Sequence, residues 1–304
     1  MIPLRIGASA GAIAIACLFA HSHAEAHAIC GSRVFPATLA IDDPGVSDEL
    51  ALPTMTFYPR NSSGPQEIDA SFSYTKTIFP DLGLSIGDGK TWLSPGGSGW
   101  GNLDTELKYN FFCVEQSEFM GSIGIDTTWA STGSRTFSDP FNTYRPVLDV
   151  GKGFGDLPTS LNALRPFAVT GEASVSIPGA SSTQGSDNPT VFNWGFTVQY
   201  SLPYMSANIR EMPEFLKHLV PITEFAFQTP VSNIQPGPGN QETTGTIQPG
   251  VIYMADSWQI AVEALIPINH ASGHSVGVEA ELHFFLDDMF PDSFLGKPIF
   301  GGRS

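Results

Sequence analysis

Seven carboxylates, at Glu106, Asp126, Glu172, Glu224, Glu263, Glu279 and Glu281, sit in short segments where polar and apolar residues alternate. Around Glu172, the side chains of Phe167, Val169, Ala173, Val175 and Ile177 fall on one face, and Thr170, Ser174 and Ser176 fall on the other. Glu224 is opposed by Phe225 and Phe227, and Glu263 shares a face with Gln259 against Trp258, Ile260, Val262 and Ile266. Glu279, Glu281 and His283 oppose Val276, Val278, Ala280, Leu282 and Phe284. Successive side chains of a strand point to opposite faces, so these acids share the polar face of their sheet. Two readings follow. The acids are the polar residues of a solvated interior, or they form an acidic lumen that favours cations over anions, as rings of charge do in pores. Lys76, Lys108 and Arg145 are candidates to pair with some of them and weaken that field.

A second chemistry is acyl hydrolysis. His270-Ala271-Ser272 places a histidine two residues before a serine, a spacing that lets a base activate a hydroxyl on a barrel wall. Gly273 follows where an orienting Asn is usual, and the segment reads as an outer loop. Gly7-Ala8-Ser9-Ala10-Gly11 matches a nucleophile elbow but lies in a segment expected to be removed. Gly151-Lys152-Gly153-Phe154-Gly155 lacks phosphate-loop spacing and reads as a tight inner turn. His218, His274 and His283 lack the spacing of a metal site, so no metal and no cofactor is expected.

The elements that must position these residues are strands. Alternation predicts them at about 67–77, 101–112, 118–130, 143–151, 163–177, 191–203, 217–229, 244–254, 257–268 and 274–286. That is ten strands, or twelve if 53–58 and 82–87 also pair. The apolar faces are thick with Phe, Trp and Tyr, as in Phe192, Trp194, Phe196, Val198 and Tyr200. Lipid on one face, water on the other and aromatic rings at two interfaces explain this pattern. An open edge cannot survive in hydrocarbon, so the sheet must close. The fold class is therefore all-β, a closed antiparallel transmembrane β-barrel of 10–12 strands. With the strand at 67–77 running outward, the outer connections are 78–100, 131–142, 178–190, 230–243 and 269–273, four of the five long and rich in Gly, Ser and Pro. Two inner turns, at 113–117 and 255–256, are short.

Bulk composition agrees. The chain of 304 residues has 30 acids against 14 Lys plus Arg, a net charge of −16, and only 14% charged residues. Such a surface offers no basic face for nucleic acid. Arg5 followed by the apolar run from Ile6 to Ala20, then Ala24-Glu25-Ala26 and Ala26-His27-Ala28, reads as a cleaved signal peptide over 1–28. Export implies an oxidising compartment. Cys30 and Cys113 are then the cysteines left, and a bridge between them is expected to clamp a flexible arm to the inner rim. The organisation read from sequence is a signal at 1–28, a periplasmic or lumen-entering arm at 29–64, the barrel at 65–286 and a tail at 287–304. The tail follows Phe284-Phe285, the aromatic close of the last strand, and is read either as a plug or as a sequel to an internal assembly signal. An Arg at Phe196, Val262 or Val278 is expected to be costly, and one at Thr197 or Ser174 to be tolerated.

Gly101-Asn102-Leu103-Asp104 leading into Leu107-Lys108-Tyr109, then Gly153-Phe154-Gly155-Asp156-Leu157-Pro158, then Thr223 to Pro230 (TEFAFQTP), give the region from about 60 to 286 a resemblance. It resembles the bacterial outer-membrane barrels assigned to MetA-pathway phenol-degradation transport. The resemblance implies passage of small aromatic compounds and carries no catalytic residues. The implied surroundings are outer-membrane lipid of a Gram-negative bacterium, a small-molecule solute and the outer-membrane assembly machinery, with no nucleic acid. The rival readings are a lipid acyl hydrolase using His270 and Ser272, and a structural or adhesive barrel without an open pore.

Overall fold

A computed structural model of the chain describes residues 28–61 and 64–301; the cleavable segment read at 1–28 lies, but for Ala28, outside the described residues. Twelve strands form the wall. They are β1 (Glu49–Tyr58), β2 (Gln66–Phe79), β3 (Leu82–Ser94), β4 (Asp104–Val114), β5 (Phe119–Thr128) and β6 (Thr143–Gly153), then β7 (Phe167–Pro178), β8 (Thr190–Tyr200), β9 (Leu219–Ser232), β10 (Thr244–Met254), β11 (Trp258–Pro267) and β12 (Gly277–Phe285). Each pairs antiparallel with its sequence neighbours, and β12 pairs with β1 through Val278↔Phe57 to Phe285↔Glu49. The sheet is thereby a closed barrel, with every wall strand paired on both sides.

The count is the larger of the two read from sequence, and the extra strands correct two expectations. Because Leu82–Ser94 is a strand joined to β2 by a turn at 80–81, the strand at 66–79 runs opposite to the direction expected for it. The alternation of β3 is diluted by Gly83, Gly87 and Gly89, so sequence offers only its first part, 82–87, and only as an alternative. Because Glu49–Tyr58 belongs to the wall, the barrel begins at Glu49, not at 65. Gly151 and Gly153 are also strand residues, not a tight turn. Pro146 is tolerated inside β6 because it faces Ile125 of β5 while the ladder to β7 lapses between Tyr144 and Val147.

The rim holding the short turns 80–81, 115–118 and 255–257 also carries the N-terminal hairpin and the C-terminal tail; it is called the inner rim here. Two inner connections, 154–166 and 201–218, are long, contrary to the expected asymmetry. They clasp the arm, as described below.

The wall's outward face is apolar. Ile123 is 50% exposed, Val278 47% and Val262 43%. Trp92, Trp129 and Tyr144 stand near the outer ends of their strands, and Phe111, Phe119, Tyr253 and Trp258 near the inner ends. Adjacent rings pair across the ladder, as at Phe196–Phe225 (4.6 Å) and Phe167–Tyr200 (4.7 Å). The inward face is polar, with Thr170, Thr197, Gln199, Gln259 and Glu263 all buried. Among the described residues no helix is long and apolar enough to cross a membrane; the elements with a lipid-type face are the strands.

Candidate functional site: a lumen occupied by the N-terminal arm

The lumen is occupied by residues 36–47. They enter from a hairpin, Ala28–Cys30 paired with Arg33–Phe35, docked at the inner rim. The Cys30–Cys113 disulfide joins this hairpin to the end of β4, with the two Cα atoms 5.8 Å apart, as read from sequence. Arg33 is the second anchor and is fully buried. Its Nε donates to Glu118 Oε2 at 3.1 Å, Nη1 to the Pro166 carbonyl at 3.1 Å and Nη2 to the Arg165 carbonyl at 2.6 Å. Its guanidinium lies 4.0 Å from the centre of the Tyr204 ring. Burial pulls the Arg33 pKa down, and the Glu118 carboxylate opposes that shift. Connections 154–166 and 201–218 are therefore long because they build this socket.

Beyond Phe35 the arm rises to a tip at 38–42 and returns to the inner rim at Glu49. The wall meets it with donors and acceptors at each step. Gln259 Nε2 donates to the Ala37 carbonyl at 2.6 Å, and the Ala40 amide donates to Glu224 Oε2 at 2.6 Å. Lys108 Nζ pairs with Asp42 Oδ2 at 2.7 Å and Asp149 Oδ2 at 3.5 Å, and donates to the Asp43 carbonyl. Asn110 Nδ2 donates to the Pro44 carbonyl at 2.8 Å. These contacts satisfy an irregular backbone that has no ladder of its own.

Glycines on the wall make room for it. A Cβ on Gly195 would lie 2.4 Å from Ile41 Cδ1, and one on Gly151 would lie 2.8 Å from Pro44 Cγ and 3.1 Å from Phe35 Cε1. The tip and the wall leave two cavities. One of about 300 Å³ is lined by Lys108, His283, Glu106 and Ser73. The other, of about 520 Å³, is lined by Tyr58, Asn193, Gln248 and Ser272, toward the outer rim. Ala40, Arg145 and Glu172 line both, so the arm tip and this ion pair separate them.

The acids named from sequence all contribute to this interior. Arg145 bridges Asp126 (2.8 Å) and Glu172 (3.0 Å). Glu224 accepts from Thr197 Oγ1 at 3.0 Å as well as from the arm. Glu279 accepts from Thr56 at 2.9 Å and Glu281 from Thr54 at 2.8 Å. His283 sits between Glu281 (3.0 Å) and Glu49 (3.2 Å), which ties β12 to the start of β1. Both ring nitrogens meet carboxylate oxygens, an arrangement suited to the imidazolium. Glu263 is buried beside Glu279 and has no hydrogen-bond partner among the described residues. Lys76 is not in the lumen; it pairs with Asp48 at 2.7 Å under the C-terminal tail. Nor does that tail enter the lumen: the arm is the occupant. Thr197 and Ser174, expected to accept an Arg, are buried, at 0% and 2% exposure, so an Arg at either is now expected to be costly as well.

The acyl-hydrolase arrangement is not built. Ser272 Oγ donates to Asn269 Oδ1 at 2.7 Å, while His270 Nδ1 lies 3.3 Å from His274 Nδ1. Among the described residues, no three His, Cys, Asp or Glu side chains converge as a metal site.

The arm's role was the part sequence reasoning missed. Lys108, Asn110 and Gln259 look like ordinary polar-face residues in the sequence, and the glycines on that face, such as Gly151 and Gly195, are the one signal that could have pointed to a guest.

The bridge tests the arm's tether. It closes a loop between positions separated by 83 residues, for which chain entropy gives about 4–5 kcal/mol as an upper figure. Reduction, or Cys30→Ala, should lower the urea midpoint of the folded barrel, read as its heat-modifiable band. An unchanged midpoint would mean that the Arg33 socket holds the hairpin unaided.

No family model matches the chain, and no curated protein matches it. Solved structures with a similar course include the NanC porin, at 11% identity, covering 77% of this chain and 98% of that one, with a TM-score of 0.49. The KdgM porin aligns at 13% identity over 77% and 98%, with a TM-score of 0.46. An outer membrane channel from Pseudomonas putida F1 aligns at 11% identity over 83% and 99%, with a TM-score of 0.48.

Proposed function

We propose that this chain is an outer-membrane barrel for passive passage of small solutes, throttled by its own N-terminal arm. The observation that supports it most is the pair of polar cavities meeting at Ala40, Arg145 and Glu172 inside a wall whose outer face is apolar. A wall of this chemistry belongs in a bilayer, and an interior that is polar and cavitied has no need of it for packing.

The inner rim faces the periplasm in this reading, since the exported N-terminus and the disulfide lie there. Ala28 is already buried in the docked hairpin, which favours cleavage after Ala26 over cleavage after Ala28. The assembly machinery would read β12, whose final residue Phe285 precedes the tail. Tyr58 on the outer cavity offers a ring to a flat aromatic solute, in keeping with the family resemblance. The arm also supports a second reading, a barrel closed in its resting state.

Planar-bilayer recording distinguishes them. The folded protein should show a small, cation-preferring conductance. Glu106→Gln with Glu172→Gln should shift the reversal potential toward zero, most visibly at low salt where screening is weak. An anion-preferring wild type would refute the acidic path. Absence of conductance from both the full chain and an arm-deleted variant would leave the structural barrel.

A further inference from the structure

The C-terminal segment after β12 lies against the outside of the wall at the inner rim. The Leu286 amide donates to the Asp48 carbonyl at 2.7 Å, the Ile299 amide to the Thr77 carbonyl at 3.1 Å and the Phe300 amide to the Ile78 carbonyl at 2.8 Å. The segment thus pairs with the end of β2 that projects beyond the start of β1. It also roofs a charge pair. Lys76 Nζ, bound to Asp48, donates to the Lys297 carbonyl at 2.7 Å and lies 5.2 Å from the centre of the Phe294 ring.

What the segment covers is polar; what it shows is amphipathic, with Asp288, Asp292 and Ser293 exposed beside large apolar side chains. Phe294 is 66% exposed, Phe300 57%, Leu295 42% and Ile299 42%. The Phe300 ring packs 5.6 Å from that of Phe79, which is itself 48% exposed at the inner end of β2. The exposed face is therefore continuous with the outward face of the wall. A chain that merely capped the Lys76–Asp48 pair has no need to expose four large apolar side chains next to Phe79.

We infer that the tail is an interfacial lipid contact. Phe294 and Phe300 seat in the headgroup and upper acyl region of the phospholipid leaflet at the inner rim and extend the barrel's lipid belt beyond β2. The chemistry is that of an amphipathic segment lying in the interface plane, aromatic side chains inward to lipid. This inference rests on the membrane reading of the wall.

The test is spin-label accessibility in the exported chain, whose Cys30 and Cys113 are bridged and take no label, folded into vesicles of phosphatidylethanolamine and phosphatidylglycerol. Nitroxides are placed through Phe294→Cys, Phe300→Cys, Asp292→Cys and Val262→Cys. Oxygen partitions into lipid and a nickel chelate into water. The ratio of the two accessibilities should be high at 262 and at least several-fold higher at 294 and 300 than at 292. A ratio at 294 and 300 as low as at 292, with 262 still high, would overturn the tail assignment alone. Shielding from both reagents with spin–spin broadening would place a second copy on this face, and overturn it too. A low ratio at 262 would instead overturn the membrane reading and the inference with it.

Discussion

Deletion of residues 36–47 should raise single-channel conductance by about an order of magnitude, because the irregular segment in the lumen is the narrowest part of any path. The twelve wall strands keep every ladder partner in such a variant, since the segment pairs with none of them. What is lost is a set of side-chain anchors: Gln259 to Ala37, Glu224 to Ala40, Lys108 to Asp42, Asn110 to Pro44. Each of those wall groups is polar and would be rehydrated in an opened lumen. The variant should therefore still fold, with some loss of stability from the vacated apolar contacts of Ile41 and Pro44 with the wall. Recording from barrels shown to be folded by their heat-modifiable band is the measurement. Equal conductance with and without the segment would mean that solute bypasses it, or that the barrier lies at the Arg145 bridge.

Val262→Arg should cost roughly 2–4 kcal/mol of barrel stability, the usual penalty for a cation facing the bilayer midplane from a barrel wall. Val262 lies on the outward face of β11, opposite Val251 and Ala280, so no acid is placed to receive the charge. Ser73→Arg is the matched control. Ser73 lines the cavity of about 300 Å³ that also holds Glu106, Glu172 and Glu281, where a guanidinium meets water and carboxylates. Urea titration of both variants in the same lipid decides it. Equal losses on the two faces would deny that one face of the wall meets lipid.

The wall was legible because period-two alternation is a strong local signal wherever both faces carry diagnostic residues. β8 and β11 announce themselves through Phe192, Trp194, Phe196 and through Ile260, Val262, Ala264. β3 was legible only in part, as 82–87 in the twelve-strand alternative, since Gly83, Gly87 and Gly89 carry no side chain to alternate. The ten-strand count leaves it out, which reverses the expected direction of β2 while leaving every later strand correct, because 78–100 contains both the turn and this strand. The disulfide was legible from export and from the position of Cys113 at a strand end. The occupied lumen was not. Its contacts join residues far apart in the chain, such as Ala40 with Glu224, and no local pattern encodes them. The buried Thr197 and Ser174 show the cost of that gap: a polar face was equated with an open one.

The occupant of the lumen is fastened at both ends. Upstream, Cys30 is covalently joined to Cys113; downstream, the chain runs straight into β1. The covalent ring so formed contains the occupant and the first four strands of the wall together. A pull on the chain ahead of Cys30 is therefore delivered to the inner end of β4, and the segment inside the barrel stays slack. It cannot be unravelled from its free end like a cork on a string. It can only shift in place, as a loop hinged at one rim, or be released after the sulfur bridge is cut.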